Sequence, residues 1–142
     1  MNKFQLFVAS LFASRVPTKM RPMSEISSAT VLLDTDAPDA APTEMEVRKY
    51  MASKNVEVQV VGAGKKKSGV PDRNSDMLIS LVPEDSFWLE CQIRRSKAIF
   101  KAGRFQIENG ILDFVISDRQ EGDTTQLEVF REMEKILNKL EE

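Results

Sequence analysis

Five basic residues and no acid stand between Cys91 and Ile107: Arg94, Arg95, Lys97, Lys101 and Arg104. A run of this kind neutralises phosphates or carboxylates, and Trp88 just upstream adds a stacking or anchoring surface. Lys65, Lys66 and Lys67 carry further positive charge in the stretch G-A-G-K-K-K-S. That stretch has the composition of a phosphate-binding loop but not its spacing. The motif G-x-x-x-x-G-K-[ST] requires glycine where Gln59 stands and Ser or Thr where Lys66 stands, and no helical pattern follows it. The nine residues Lys65, Lys66, Lys67, Trp88, Arg94, Arg95, Lys97, Lys101 and Arg104 are therefore the candidate binding set.

Other chemistry is poorly provided for. The chain of 142 residues has no histidine, which excludes imidazole bases, Ser-His and Cys-His nucleophile pairs and the usual nitrogen or sulfur zinc sites. Cys91 is the only cysteine, so an internal disulfide is excluded, and its place in an alternating run reads as a small core residue rather than a nucleophile. Asp34, Asp36 and Asp39 have some likeness to a calcium loop, but glycine is missing at the sixth position and an acid at the twelfth. Turn chemistry accounts for these aspartates. No catalytic residue, metal site or cofactor is expected; carboxylates, lysine or tyrosine alone could still support catalysis, but the reading leans to a non-enzymatic chain.

The elements that would position the basic residues follow from periodicity. A-T-V-L-L-D at 29–34, V-E-V-Q-V at 56–60 and the apolar run 77–82 read as strands. Phe87, Leu89, Cys91 and Ile93 alternate with Trp88, Glu90 and Gln92, which reads as a further strand. Asn109-Gly110 is the preferred two-residue hairpin turn, and it would pair Phe105 with Phe114 and Ile107 with Leu112. A bulge at Ala102-Gly103 would reconcile the core parity before and after it. Capping boxes at Thr43-Glu-Met-Glu46 and Thr125-Gln-Leu-Glu128 start helices over about 43–54 and 125–140. The expected fold is α+β: a single, mostly antiparallel sheet of five or six strands, covered on one face by these two helices. On such a sheet Trp88, Lys97, Lys101, Arg104 and Gln106 fall on the non-core side.

Residues 1–24 contain four basic residues and no acid, with Pro17 and Pro22 interrupting them. Phe4, Phe7 and Leu11 share a helical face, so the segment reads as a basic amphipathic helix and linker, separable from a single domain over 25–142; a docked terminal strand or helix is the other reading. Its composition also suits a cleaved targeting peptide, in which case organellar import or export follows; otherwise an intracellular, soluble protein with no transmembrane segment is expected. Residues 62–76 read as a mobile basic loop. Charge is sorted along the chain: 25–62 nets −4, 63–107 nets +4 and 108–142 nets −6. Such segregation favours docking between proteins or between copies, so the expected function is a protein-interaction or assembly module with a protein partner or self-association. RNA or single-stranded nucleic-acid binding through the basic sheet face and the Lys65 to Lys67 loop is the alternative.

Overall fold

The computed structural model describes residues 4–8, 22–63, 67–68, 71–84, 86–104, 112, 114–118 and 125–140. Seven strands, β1 (Phe4–Val8), β2 (Ser28–Leu33), β3 (Glu57–Ala63), β4 (Lys67–Ser68), β5 (Met77–Ser80), β6 (Phe100–Gly103) and β7 (Phe114–Asp118), form one sheet in the order β1-β7-β6-β5-β2-β3-β4. The helices are α1 (Ala40–Ser53), α2 (Phe87–Arg95) and α3 (Gln126–Lys139). The five strands β7-β6-β5-β2-β3 are parallel, and antiparallel pairing is confined to β1 on β7 and β4 on β3. The mostly antiparallel α+β sheet expected from the sequence is thus corrected to an α/β fold with a parallel centre.

The cause of that error lies at 87–93, where the expected strand is helix α2. Parallel neighbours need a crossover long enough to return the chain to the same edge, and α1 and α2 supply it for β2→β3 and β5→β6. Both faces of the sheet are consequently covered. Val31, Met77, Ile79 and Phe100 pack under α1 and α3, whereas Leu32, Leu78, Leu112 and Val115 pack against Leu89 and Ile93 of α2. Coverage of one face only, the other part of the expectation, is corrected too. Unbroken apolar runs such as Val31-Leu32-Leu33 and Met77-Leu78-Ile79 are what two-sided burial demands.

Among the described residues no helix joins β3 to β5. The 71–76 stretch lies against the sheet there: Thr30 Oγ1 and Ser75 Oγ are 2.6 Å apart, Ser27 N–H donates to Asp76 Oδ2 at 2.8 Å, and Asp72 N–H donates to Gln59 Oε1 at 2.9 Å. Residues 64–66 and 69–70 lie outside the described set.

The remaining local expectations divide. The strands near 29–34, 56–60 and 77–82 and both long helices are present. α3 has its capping box, with Glu128 N–H on Thr125 Oγ1 at 3.1 Å and Thr125 N–H on Glu128 Oε1 at 3.4 Å. α1 instead begins after Asp39, and Thr43 sits inside the helix with its hydroxyl donating to Asp39 O at 2.6 Å. The first arm of the Asn109-Gly110 hairpin lies outside the described residues, but its second arm does not pair as expected. Phe114 already faces Val8 on one side and Ala102 on the other, leaving no ladder edge for Phe105. β6 pairs in continuous register without a bulge, and a Cβ at Gly103 would approach Leu112 Cδ1 to 3.0 Å. Phe4–Val8 is a strand on β7, not a helix. Among the described residues no helix is long and apolar enough to cross a membrane.

Candidate interaction site

α2 is short and is set in place at both ends. Ser86 caps its N-terminus, the hydroxyl oxygen accepting from Leu89 N–H at 3.1 Å, with Glu90 in the first turn and Arg94 and Arg95 in the last. Acid first and base last is the arrangement the helix dipole favours. Leu89 and Ile93, one turn apart, bury one side against the sheet. Two cations beneath the helix complete the attachment. Lys101, only 6% exposed, extends from β6 to donate its Nζ to Ile93 O in the last turn at 2.8 Å. Arg104, 5% exposed, donates Nη1 to Leu81 O at 3.2 Å, holding the segment that leads from β5 into the helix.

These two residues are the main correction to the candidate site. On a sheet covered on one side they would face solvent; on this sheet the second face is packed, so they are interior and committed to main-chain carbonyls. Trp88 is half-buried, packed against the α2-side cluster rather than standing on a strand. Arg94, Arg95 and Lys97 are exposed as expected. Lys65 and Lys66 lie outside the described residues, as does the side chain of Lys67, whose backbone belongs to β4.

The outward side of α2, opposite Leu89 and Ile93, presents Phe87, Cys91, Arg94 and Arg95. Phe87 is 86% exposed, the highest of the large apolar residues described. Cys91 is a half-buried free thiol on the outward side of the helix, so the expected core strand position is corrected. Lys97 N–H donates to Arg73 O at 2.7 Å, which brings exposed Arg73 to the same corner as the end of α2. Arg94 reaches Glu90 at 3.9 Å, a surface ion pair of little strength. Arg73, Arg95 and Lys97 form no ion pair with any described residue. Phe87, absent from the binding set read from the sequence, is signalled there only by its place directly after a capping serine.

Elsewhere the polar residues have structural work. Asp34 Oδ1 accepts from Asp36 N–H at 3.0 Å, an Asx turn. Asp39 Oδ2 accepts Leu127 N–H at 3.0 Å, and the Gln126 amide bridges to the Asp34 main chain, Oε1 accepting Asp34 N–H at 2.7 Å and Nε2 donating to Asp34 O at 3.0 Å, locking the start of α3 to the end of β2. Among the described residues no group of three or more acids and cysteines is placed to hold a metal ion. Between α1 and α3, Glu134 has one carboxylate oxygen sealed from solvent. Burial pushes this carboxyl up to about 8, the adjacent Glu46 carboxyl adds to the rise, and Arg131 and Lys49 oppose it.

Compared with protein-family models, with curated proteins and with solved structures, the chain matches none.

Proposed function

We propose that this chain is a non-enzymatic interaction module whose docking surface is the outward face of α2. The observation that carries this reading is Phe87, a large apolar side chain held in water on a helix anchored at both ends. Aromatic residues flanked by arginine are the composition of interface anchors, and a fixed helix presents them without an ordering cost on binding. The absence of histidine points the same way, since it removes the commonest acid-base and nucleophile-activating group.

Nucleic-acid binding has less to draw on. Two of its cations, Lys101 and Arg104, are buried, and the aromatic meant for stacking is half-buried in the core. Among the described residues, the exposed cations of that set, Arg94, Arg95 and Lys97, gather at one end of a helix instead of lining a sheet face.

The test is the substitution Phe87→Asp. An acid at the first helical position suits the dipole, so α2 should persist while its anchor is lost. Full-length parent and variant, each immobilised and exposed to extract of cells that make the protein, are compared alongside thermal melting. A partner retained by the parent and lost by the variant at unchanged Tm is the expected result. Identical retained sets, or none in either case, would overturn the proposal.

A further inference from the structure

We infer that the partner of the α2 face is an acidic protein segment with an apolar anchor, its carboxylates meeting Arg73, Arg94, Arg95 and Lys97 while the anchor lies against Phe87. This rests on the interaction reading above and adds the chemistry of what binds. The four cations converge because the last turn of α2 and the 71–76 stretch meet at the Lys97–Arg73 main-chain bond. The nearby acids of that stretch accept main-chain N–H groups, Asp72 Oδ1 from Asn74 at 2.9 Å and Asp76 Oδ2 from Ser27 at 2.8 Å, and form no ion pair with these cations. With Arg94 paired only at 3.9 Å, these four cations outnumber Asp72, Asp76 and Glu90, and the corner stays net positive toward an incoming group. Covering Phe87 and Cys91 brings a partner over these cations, and stripping their water without a counter-charge is unfavourable. The partner must therefore bring carboxylates.

A second copy of the chain satisfies these conditions poorly. A two-fold dimer with parallel α2 helices sets one cationic corner beside another, one with antiparallel helices offers each corner only Glu84 and Glu90 of the described acids near the other copy's Phe87, and a head-to-tail contact closes only into a ring. The spacing narrows the ligand further. Phe87 and Arg94 are two helical turns, about 10 Å, apart. An extended segment spans that distance with about three residues, so anchor and acids should stand that far apart in sequence.

The experiment is selection from a displayed library of random dodecapeptides against the full chain, followed by affinity measurement of the enriched peptides at low and high salt. Enrichment of Asp and Glu beside one apolar residue is expected. Affinity should fall about tenfold or more on Arg94→Gln/Arg95→Gln and be lost on Phe87→Asp, with steep salt dependence. Enriched peptides that need Phe87 but carry no acid would overturn the acidic-partner inference and leave the interaction reading standing. Binders indifferent to Phe87→Asp, or none at all, would remove both. Concentration-dependent sedimentation of the protein alone that Phe87→Asp abolishes would assign the face to a second copy, and a single-stranded RNA dodecamer bound more tightly than any peptide would assign it to nucleic acid; either outcome overturns the inference.

Discussion

Lys97 and Lys101 are four residues apart and chemically identical, yet one is exposed and the other donates Nζ to Ile93 O from the interior. Replacing the buried ammonium by a side chain of similar shape leaves the carbonyl without that donor. Lys101→Met is accordingly expected to destabilise the protein by about 1–3 kcal/mol, the cost of a buried polar group losing its partner. Lys97→Met should change stability by no more than about 0.5 kcal/mol, as surface substitutions do. Chemical denaturation of the two variants measures both, and equal midpoints would show that Lys101 is no anchor. The sequence makes Lys101 and Arg104 basic and places Lys101 out of register with Phe100 and Ala102, and that much is correct; Arg104 falls on the same side as Lys101 only through a bulge that β6 does not have. What it does not show is that the opposite face of the sheet is packed as well, which depends on a helix lying across it. Arg94, Arg95 and Lys97 are legible as exposed because they stand at the end of their element, whatever its type. Phe87 is not, because an apolar residue at the head of an alternating run looks like core.

At the scale of elements, the α1–α3 seam joins Tyr50 to Phe130 edge to face at 5.9 Å and Tyr50 Oη to Asn138 Oδ1 at 2.9 Å, with Glu134 alongside. The Glu134 carboxyl titrates at about 8 in the folded protein against 4.5 in its ordinary state. Over that interval the folded chain holds a proton that the unfolded chain has released. Stability contributed by this group is complete below about pH 4.5, declines as pH rises and is gone above about pH 8. Glu134→Gln, which is neutral throughout, should flatten this slope; denaturation midpoints of both proteins from pH 5 to 9 decide it, and parallel profiles would refute the assignment. The same helices show what is readable at this scale. α1 and α3 each run 14 residues, long enough for a 3.6-residue period to declare itself, and α3 has a capping box. α2 has nine residues, and its apolar positions 87, 89, 91 and 93 alternate by chance as a strand's would. The competing signals were present: Ser86 as cap, Glu90 early, Arg94 and Arg95 late, and the turn-spaced pair Leu89 and Ile93 that the helix actually buries. Once that element is misread, a crossover disappears and the parallel sheet with it.

For the molecule as a whole, two truncations test where the folding unit begins at the N-terminal side. The charge and proline pattern puts a boundary near residue 24, and Met23 and Ile26 are buried in the cluster beneath α1 and α3. The turn Met23–Glu25 fixes them there, with Ile26 N–H donating to Met23 O at 3.0 Å, and Ser27 and Ser28 then engage Asp76 where β2 begins. Truncating a buried Met or Ile costs about 2–5 kcal/mol, and two such losses approach the whole stability of an ordinary domain, about 5–15 kcal/mol. Two deletions separate the alternatives. Removing residues 1–21 takes away β1, whose neighbour β7 keeps its pairing with β6 and its buried Val115 and Ile116, so a folded domain of lower Tm is expected. Removing residues 1–26 also takes Met23 and Ile26, and a cooperative transition should then be lost or fall to near ambient temperature. Calorimetry on the full chain and both truncations reads the difference. If the shorter deletion already abolishes cooperative unfolding, β1 belongs to the folding unit; if the longer one melts like the shorter, the Met23–Glu25 turn adds nothing, and either result would move the boundary from where the burial of Met23 places it.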